Sequence, residues 1–212
     1  MLESYKKLTN NIVGLVNKYC VPEKKTANAL APKSVRISFL TAVKIAGKKP
    51  FVIGQLSEAS RRLTGGRFLV TRAGAHFAFI KEDDIDIFSE KINWSLCNMS
   101  PPQHIEWHRM LYRNTKAGAL LICYPLNAQK LWMHKISPDF SLVNGSEEII
   151  AGYAFSKESQ SAKIISLMQK NHVLLVEKQA VLAWGTDLMD ALARVEALEL
   201  ICALTLENIS SY

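Results

Sequence analysis

The chain has 212 residues, 49% of them apolar and 21% charged, which suits one large folded domain and excludes a disordered protein. Lysine and arginine outnumber aspartate and glutamate by 26 to 19, and much of the excess lies between Lys6 and Lys49. No aromatic RNA-binding pattern, zinc-finger spacing or clear helix-turn-helix signature accompanies that charge, so it reads as a basic solvated surface and nucleic acid is not an expected partner.

Leu2, Tyr5, Leu8, Ile12, Leu15 and Val16 recur at helical spacing, which predicts an amphipathic helix over 2–19, too interrupted by polar residues for a signal-peptide core. Residues 20–34 carry Pro22, Pro32 and several charges and read as a linker. The chain therefore divides into an N-terminal arm, 1–32, and one α/β domain, 33–212. Helical periodicity returns over 35–46. A turn at Gly65-Gly66 separates a polar segment from the strand Arg67–Thr71. A short strand after Ala75, an acidic turn at Glu82–Asp84 and a strand at Ile85–Phe88 follow.

Pro101–Asn114 reads as helix and Ala119–Cys123 as a buried strand, with a helix or turn beginning over Leu126–Lys130. Short strands are expected after Pro138, then a helix around Ser159–Lys170. Two apolar runs over 172–185 read as a strand pair, or as one strand interrupted by a polar dip. The last helix opens on Thr186 or Asp187 as N-cap and repeats Leu188, Ala191, Leu192, Val195, Leu198 and Ile201 at intervals of three and four. Cys20, Cys97, Cys123 and Cys202 are scattered without a CxxC pair, which points to a reducing compartment and a cytoplasmic location. No apolar run approaches the ~18 residues of a membrane span.

Four stretches share one order with a known family: IGQLS at 53–57, FLVTRAGAHFAFIKEDDIDIF at 68–88, HIEWHRMLYR at 104–113 and VLLVEKQAVLAWGTDLMDALARVEALE at 173–199. Together they resemble the class II aldolase/adducin family, whose enzymes include fuculose-phosphate aldolase, over roughly 33–205. Trp184, Gly185, Asp187, Leu188 and Ala191 all stand where that family's last segment has them. The resemblance implies a three-layer α/β/α fold with a mixed, mainly antiparallel central sheet. It also implies a homotetramer with sites between subunits, and a zinc ion held by three histidines beside a catalytic glutamate.

This chain departs from the pattern at those positions. The family's His-x-His pair falls on Ile122 and Tyr124, its third histidine on Gln179 and its catalytic glutamate on His104. Isoleucine offers no lone pair, a neutral phenol is a poor ligand and glutamine a weak one. The expectation is a degenerate member with the zinc aldolase site lost, no metal bound, and a binding or self-assembly role. Adducin's own head domain shows that the family includes non-enzymatic members. The alternative is a sugar-phosphate aldolase or lyase-like enzyme with a rebuilt or metal-independent site around His104, with Tyr124 beside it.

For a rebuilt metal site, His104 and His108 lie one helical turn apart, with Cys123 or Glu177 as further donors, although strand alternation should turn Cys123 away. A planar ligand between His104, Tyr124 and Trp107 is another candidate. By the same resemblance Gly54, Ser57, Arg72 and Gly74 are candidate binders of a small anionic ligand, Arg72 through its guanidinium fork. His76, His134 and His172 fit no constellation, and Trp132 and Met133 read as core or interface.

Overall fold

A computed structural model describes residues 31–91, 101–150, 152–156, 161–176 and 180–210; the predicted helix over 2–19, Glu177 and Gln179 lie outside these. Helix α1, Lys33–Ala46, starts directly after Pro32 and buries Phe39, Leu40, Val43 and Ala46 along one face. Gly47 ends it. A Cβ there would sit 2.5 Å from the Ala78 backbone nitrogen, so the approach of α1 to the short 3₁₀ turn Phe77–Phe79 requires glycine. That turn stands where the sequence suggested a strand after Ala75; Phe77 plugs the core beneath α1 rather than extending a ladder.

Strands β1 (Glu58–Leu63), β2 (Arg67–Thr71) and β3 (Ile85–Ser89) form an antiparallel meander. The first hairpin turns on Gly65 and Gly66, with φ of +74° and +66°, a backbone that other residues adopt only with strain. Strand β1 occupies what the sequence showed only as a polar segment. Helix α2 (Ile105–Asn114) begins at Ile105 rather than Pro101. It leads into β4 (Ala119–Cys123) and α3 (Leu126–Met133), in which Trp132 packs on the core while Met133 is exposed.

A 3₁₀ turn at Phe140–Leu142 and a short helix α4 (Ser146–Ile150) follow. After them β5 (Tyr153–Ser156) crosses through α5 (Ser161–Lys170) to β6 (Val173–Val176), and β7 (Ala180–Gly185) returns antiparallel.

The seven strands lie in the order β3-β2-β1-β4-β7-β6-β5. Every neighbouring pair is antiparallel except β5–β6. This is the mixed, mainly antiparallel sheet that the resemblance implied. Helix α6 (Leu188–Ser210) lies across one face, where it buries Leu188, Ala191, Leu192, Val195, Leu198 and Ile201 with Phe39 and Val43 of α1 and Leu121 of β4. Each of these leucine, isoleucine and valine side chains contributes about 1.5–3 kcal/mol on leaving water. Asp187 caps α6 by accepting the Asp190 amide at 2.9 Å, and Asp190 reaches back to the Thr186 amide at 2.9 Å. On the other face α2 and α5 cover Phe68, Phe88, Leu120, Ile122, Leu174 and Trp184.

Candidate functional site

Strand side chains alternate between faces, and β1 shows what that does to a polar sequence. Ala59 joins the core under α6 and Arg61 reaches Ser38 of α1, so these two point one way. Glu58, Ser60 and Arg62 point the other way, toward α2. Glu58 is buried, and its carboxylate accepts the His104 backbone amide at 3.1 and 3.2 Å, just at the start of α2. A negative charge is favoured at that end of a helix. The same carboxylate meets His104 Nδ1 at 3.1 Å and His108 Nε2 at 3.1 Å. His108 Nδ1 lies 2.7 Å from Ser60 Oγ, which lies 2.7 Å from the Tyr112 hydroxyl. Arg62 closes the row: it donates to the Tyr112, Thr115 and Ala117 carbonyls and stands 4.9 Å over the Tyr112 ring.

The proton positions follow from one fact, that an ionised carboxylate only accepts. His104 carries its proton on Nδ1 and His108 on Nε2. Ser60 Oγ joins the His108 ring to the Tyr112 hydroxyl, a hydroxyl that can donate to one and accept from the other. Burial by itself pushes the Glu58 carboxyl up. Hydrogen bonds from His104 and His108, and their charge, overcome it and hold Glu58 at about 2. Burial pushes the Tyr112 phenol far up, so it stays a neutral donor.

Glu58 stands opposite Ile122 in the β1–β4 register. Ile122 is fully buried in the apolar cluster beneath α2, and Tyr124, beyond the end of β4, packs against the same cluster. The Tyr124 phenol is pushed up by partial burial and by the charge of Glu58. The structure thus brings His104, Tyr124 and Ile122 together, and Glu58 is the residue that joins them. Sequence reasoning missed Glu58. The available signal was the period-two row of Glu58, Ser60 and Arg62, which marks one face of a strand once β1 is known to be one.

Other expected groupings do not form. Cys123 faces the α6 core, where burial and then the charge of Glu199 push its thiol far up. His108 uses both ring nitrogens within the protein and has none to offer a cation. Among the described residues no three His, Cys, Asp or Glu side chains are gathered to hold a metal ion. The described residues at which the resemblance places the zinc ligands do not fit zinc. Ile122 has no donor atom and the Tyr124 phenol is held neutral; Gln179 lies outside the described residues.

A planar ligand has no slot between His104 and Trp107, because the two rings already stack at 4.4 Å, 11° from parallel. Ser57, buried, accepts the Ile53 amide at 3.0 Å, and Arg72 donates to the Asp83 carbonyl at 3.0 Å. Gly54 and Gly74 supply turns with φ of +33° and +77°, and Gln55 lies against Gly74. A cavity of about 360 Å³ opens at the far end of β4, lined by Lys116, His172, Trp184 and Arg194 among others, and includes none of the Glu58 cluster. There Arg194 is already bound to Asp190 and to the Ile150 carbonyl.

Comparison with known proteins gives a consistent picture. Residues 39–206 match the model of the class II aldolase and adducin N-terminal domain. An L-fuculose phosphate aldolase of Methanocaldococcus jannaschii is 26% identical over 167 residues, which cover 76% of this chain and 90% of that protein. A methylthioribulose-1-phosphate dehydratase of Granulibacter bethesdensis is 23% identical over 199 residues, 84% of this chain and 93% of the other. The crystal structure of L-fuculose-1-phosphate aldolase from Thermus thermophilus superposes with a TM-score of 0.71 at 18% identity, covering 84% of this chain and 95% of that one.

Proposed function

Since the chain belongs to the class II aldolase and adducin family, we propose that it keeps the family's fold without the zinc aldol chemistry and works as a binding or self-assembling protein. The observation that carries this reading is Ile122. It fills a position where the family resemblance places a metal-ligating histidine, and it does so as a sealed core residue rather than as a gap that a ligand could enter. Side chains of this kind leave no Lewis acid to polarise a carbonyl. Self-assembly takes the form of a homotetramer, by resemblance to the family, in a cytoplasmic setting.

The alternative, a lyase working without metal at His104, has one observation in its favour, the imidazole held on Glu58. Against it stands the charge. Aldol chemistry builds an enediolate, and a buried carboxylate beside that position raises the barrier instead of lowering it.

The test is elemental analysis of untagged protein, with an assay for aldehyde release from L-fuculose 1-phosphate and sedimentation analysis of mass. The expected outcome is metal far below one equivalent, no aldehyde released and an oligomer in solution. Near-stoichiometric zinc that is lost in His104→Ala, together with turnover, would overturn the reading.

A further inference from the structure

We infer that the cavity at the far end of β4 is a binding site for a small organic anion, a carboxylate or phosphate monoester, held between Arg194 and Lys116. Three features carry it, and none of them involves Ile122 or the Glu58 cluster.

The first is a shared enclosure. The cavity of about 360 Å³ falls within the range of roughly 300–1,000 Å³ that small-molecule sites occupy. It lies where α2 runs into β4, where α5 ends and where β7 turns into α6. Lys116, His172, Trp184, Thr186, Asp190 and Arg194 all line it. The buried Trp184 closes one side, with the His172 ring stacked on it at 6.2 Å, 29° from parallel. Gly185 admits Asp190 to this wall, since a Cβ there would fall 2.3 Å from Asp190 Oδ2.

The second is a guanidinium held in place with donors to spare. The Arg194 side chain is only 12% exposed. Its Nε and Nη2 donate to Asp190 at 3.0 and 3.2 Å, and its Nη1 donates to the Ile150 carbonyl at 3.1 Å. A guanidinium carries a second hydrogen on each terminal nitrogen. Those two have no partner among the described residues. Burial alone would push the Asp190 carboxyl up. Hydrogen bonds from the Thr186 amide and Arg194, with the Arg194 charge, overcome it and hold Asp190 below the usual carboxylate range, so the anchor stays ionised. A fork fixed before binding suits the paired oxygens of an oxyanion and loses little entropy on meeting them.

The third is the sign of the field. The lining carries one carboxylate, Asp190, and Arg194 neutralises it. That leaves Lys116, which is exposed and in no ion pair among the described residues. His172 adds positive charge when protonated and none otherwise. Lys170 and Asp187 flank the lining residues in sequence, both exposed and of opposite sign, so they offset each other. An oxyanion is therefore drawn to the opening, whereas a neutral polyol gains only hydrogen bonds.

The experiment is aromatic and ring-nitrogen NMR of the full chain at low salt, titrated with glycerol 3-phosphate and D-glycerate as anionic probes and glycerol as the neutral one. At least one anion is expected to shift the His172 ring saturably while His108 stays unmoved, and glycerol at the same concentration is expected to leave both alone. The tighter anion tells whether phosphate or carboxylate is the group recognised. Lys116→Glu should weaken that anion about tenfold. Lys130→Glu makes the same change of net charge on α3, beyond the opposite end of β4, and should alter binding by less than about twofold. Arg194→Lys keeps the charge and loses the fork, and should weaken the anion about tenfold. If that variant does not fold, the probe comparison and the two lysine variants still decide. No response of His172 to either anion, glycerol binding as tightly as the anions, or equal losses in Lys116→Glu and Lys130→Glu would each overturn the inference. Stoichiometric metal in the purified protein would defeat the reading of Ile122 and leave this one standing.

Discussion

Against α6 the sheet offers Ala59, Leu121, Cys123, Val181 and Ala183, all apolar and sealed, whereas against α2 the same strands offer Glu58 and Ser60 beside Leu120 and Ile122. The first face is held chiefly by apolar volume. Its two thiols have no electropositive neighbour: Cys202, by burial and then by Glu199, is pushed up to about 12, so it acts as a small core residue. The second face is held by pairing. Glu58, His108, Ser60 and Tyr112 are each hydrogen-bonded to the next, and removing one leaves another stranded, so this row is stable only as a whole. One sheet thus separates two jobs: the α6 face carries the fold, and the α2 face carries whatever chemistry remains.

Truncation on the α6 face should give the largest effect. Leu121→Ala leaves a hole between β4 and α6 and is expected to cost about 3–4 kcal/mol in urea unfolding. A loss below about 1 kcal/mol would mean that this face is not packed as described.

Acid should separate the faces next. Glu58 is depressed from 4.5 to about 2 in the folded protein. Its contribution is therefore complete above pH 4.5 and disappears as pH falls toward 2, about 3 kcal/mol in all. Glu58→Gln should flatten that acid limb while Leu121→Ala leaves its slope unchanged. Identical limbs in the natural protein and Glu58→Gln would break the assignment.

The smallest effect belongs to the end of the chain of hydroxyls. Tyr112→Phe removes one buried hydrogen bond to Ser60 and should cost about 1 kcal/mol, measured by the same unfolding curves. A cost nearer that of Leu121→Ala would show that the α2 face is as intolerant as the other.

The sequence disclosed these faces unequally. Helix α6 was plain, since Leu188 to Cys202 repeat at helical intervals and Asp187 caps them. Ala119–Cys123 was plain as an uninterrupted apolar run. Strand β1 was hidden because EASRRL carries no apolar row: its buried positions toward α2 are filled by Glu58 and Ser60, which periodicity counts as exposed. The 3₁₀ turn at Phe77 was read as strand because its aromatics match strand composition, and only the approach of Gly47 fixes the tighter geometry. Ile122, Tyr124 and His104 were found by position, whereas the carboxylate that organises them could not be, because it lies on a different strand and far away in sequence.

That distance has a consequence for how the molecule assembles. Strands β1 and β2, and β6 and β7, pair across short connections, and β3 returns to β2 after residues 72–84, all local contacts that close early. Strand β4 alone ties the first group to the second, with β1 on one flank and β7 on the other. Closing that long loop carries a larger entropic cost, so the seam is expected to form last. Glu58 lies on one side of it and Ile122 on the other. The polar face beneath α2 is then incomplete in every partly folded form, and a newly made chain brings Glu58 against Ile122 only in its final folding step.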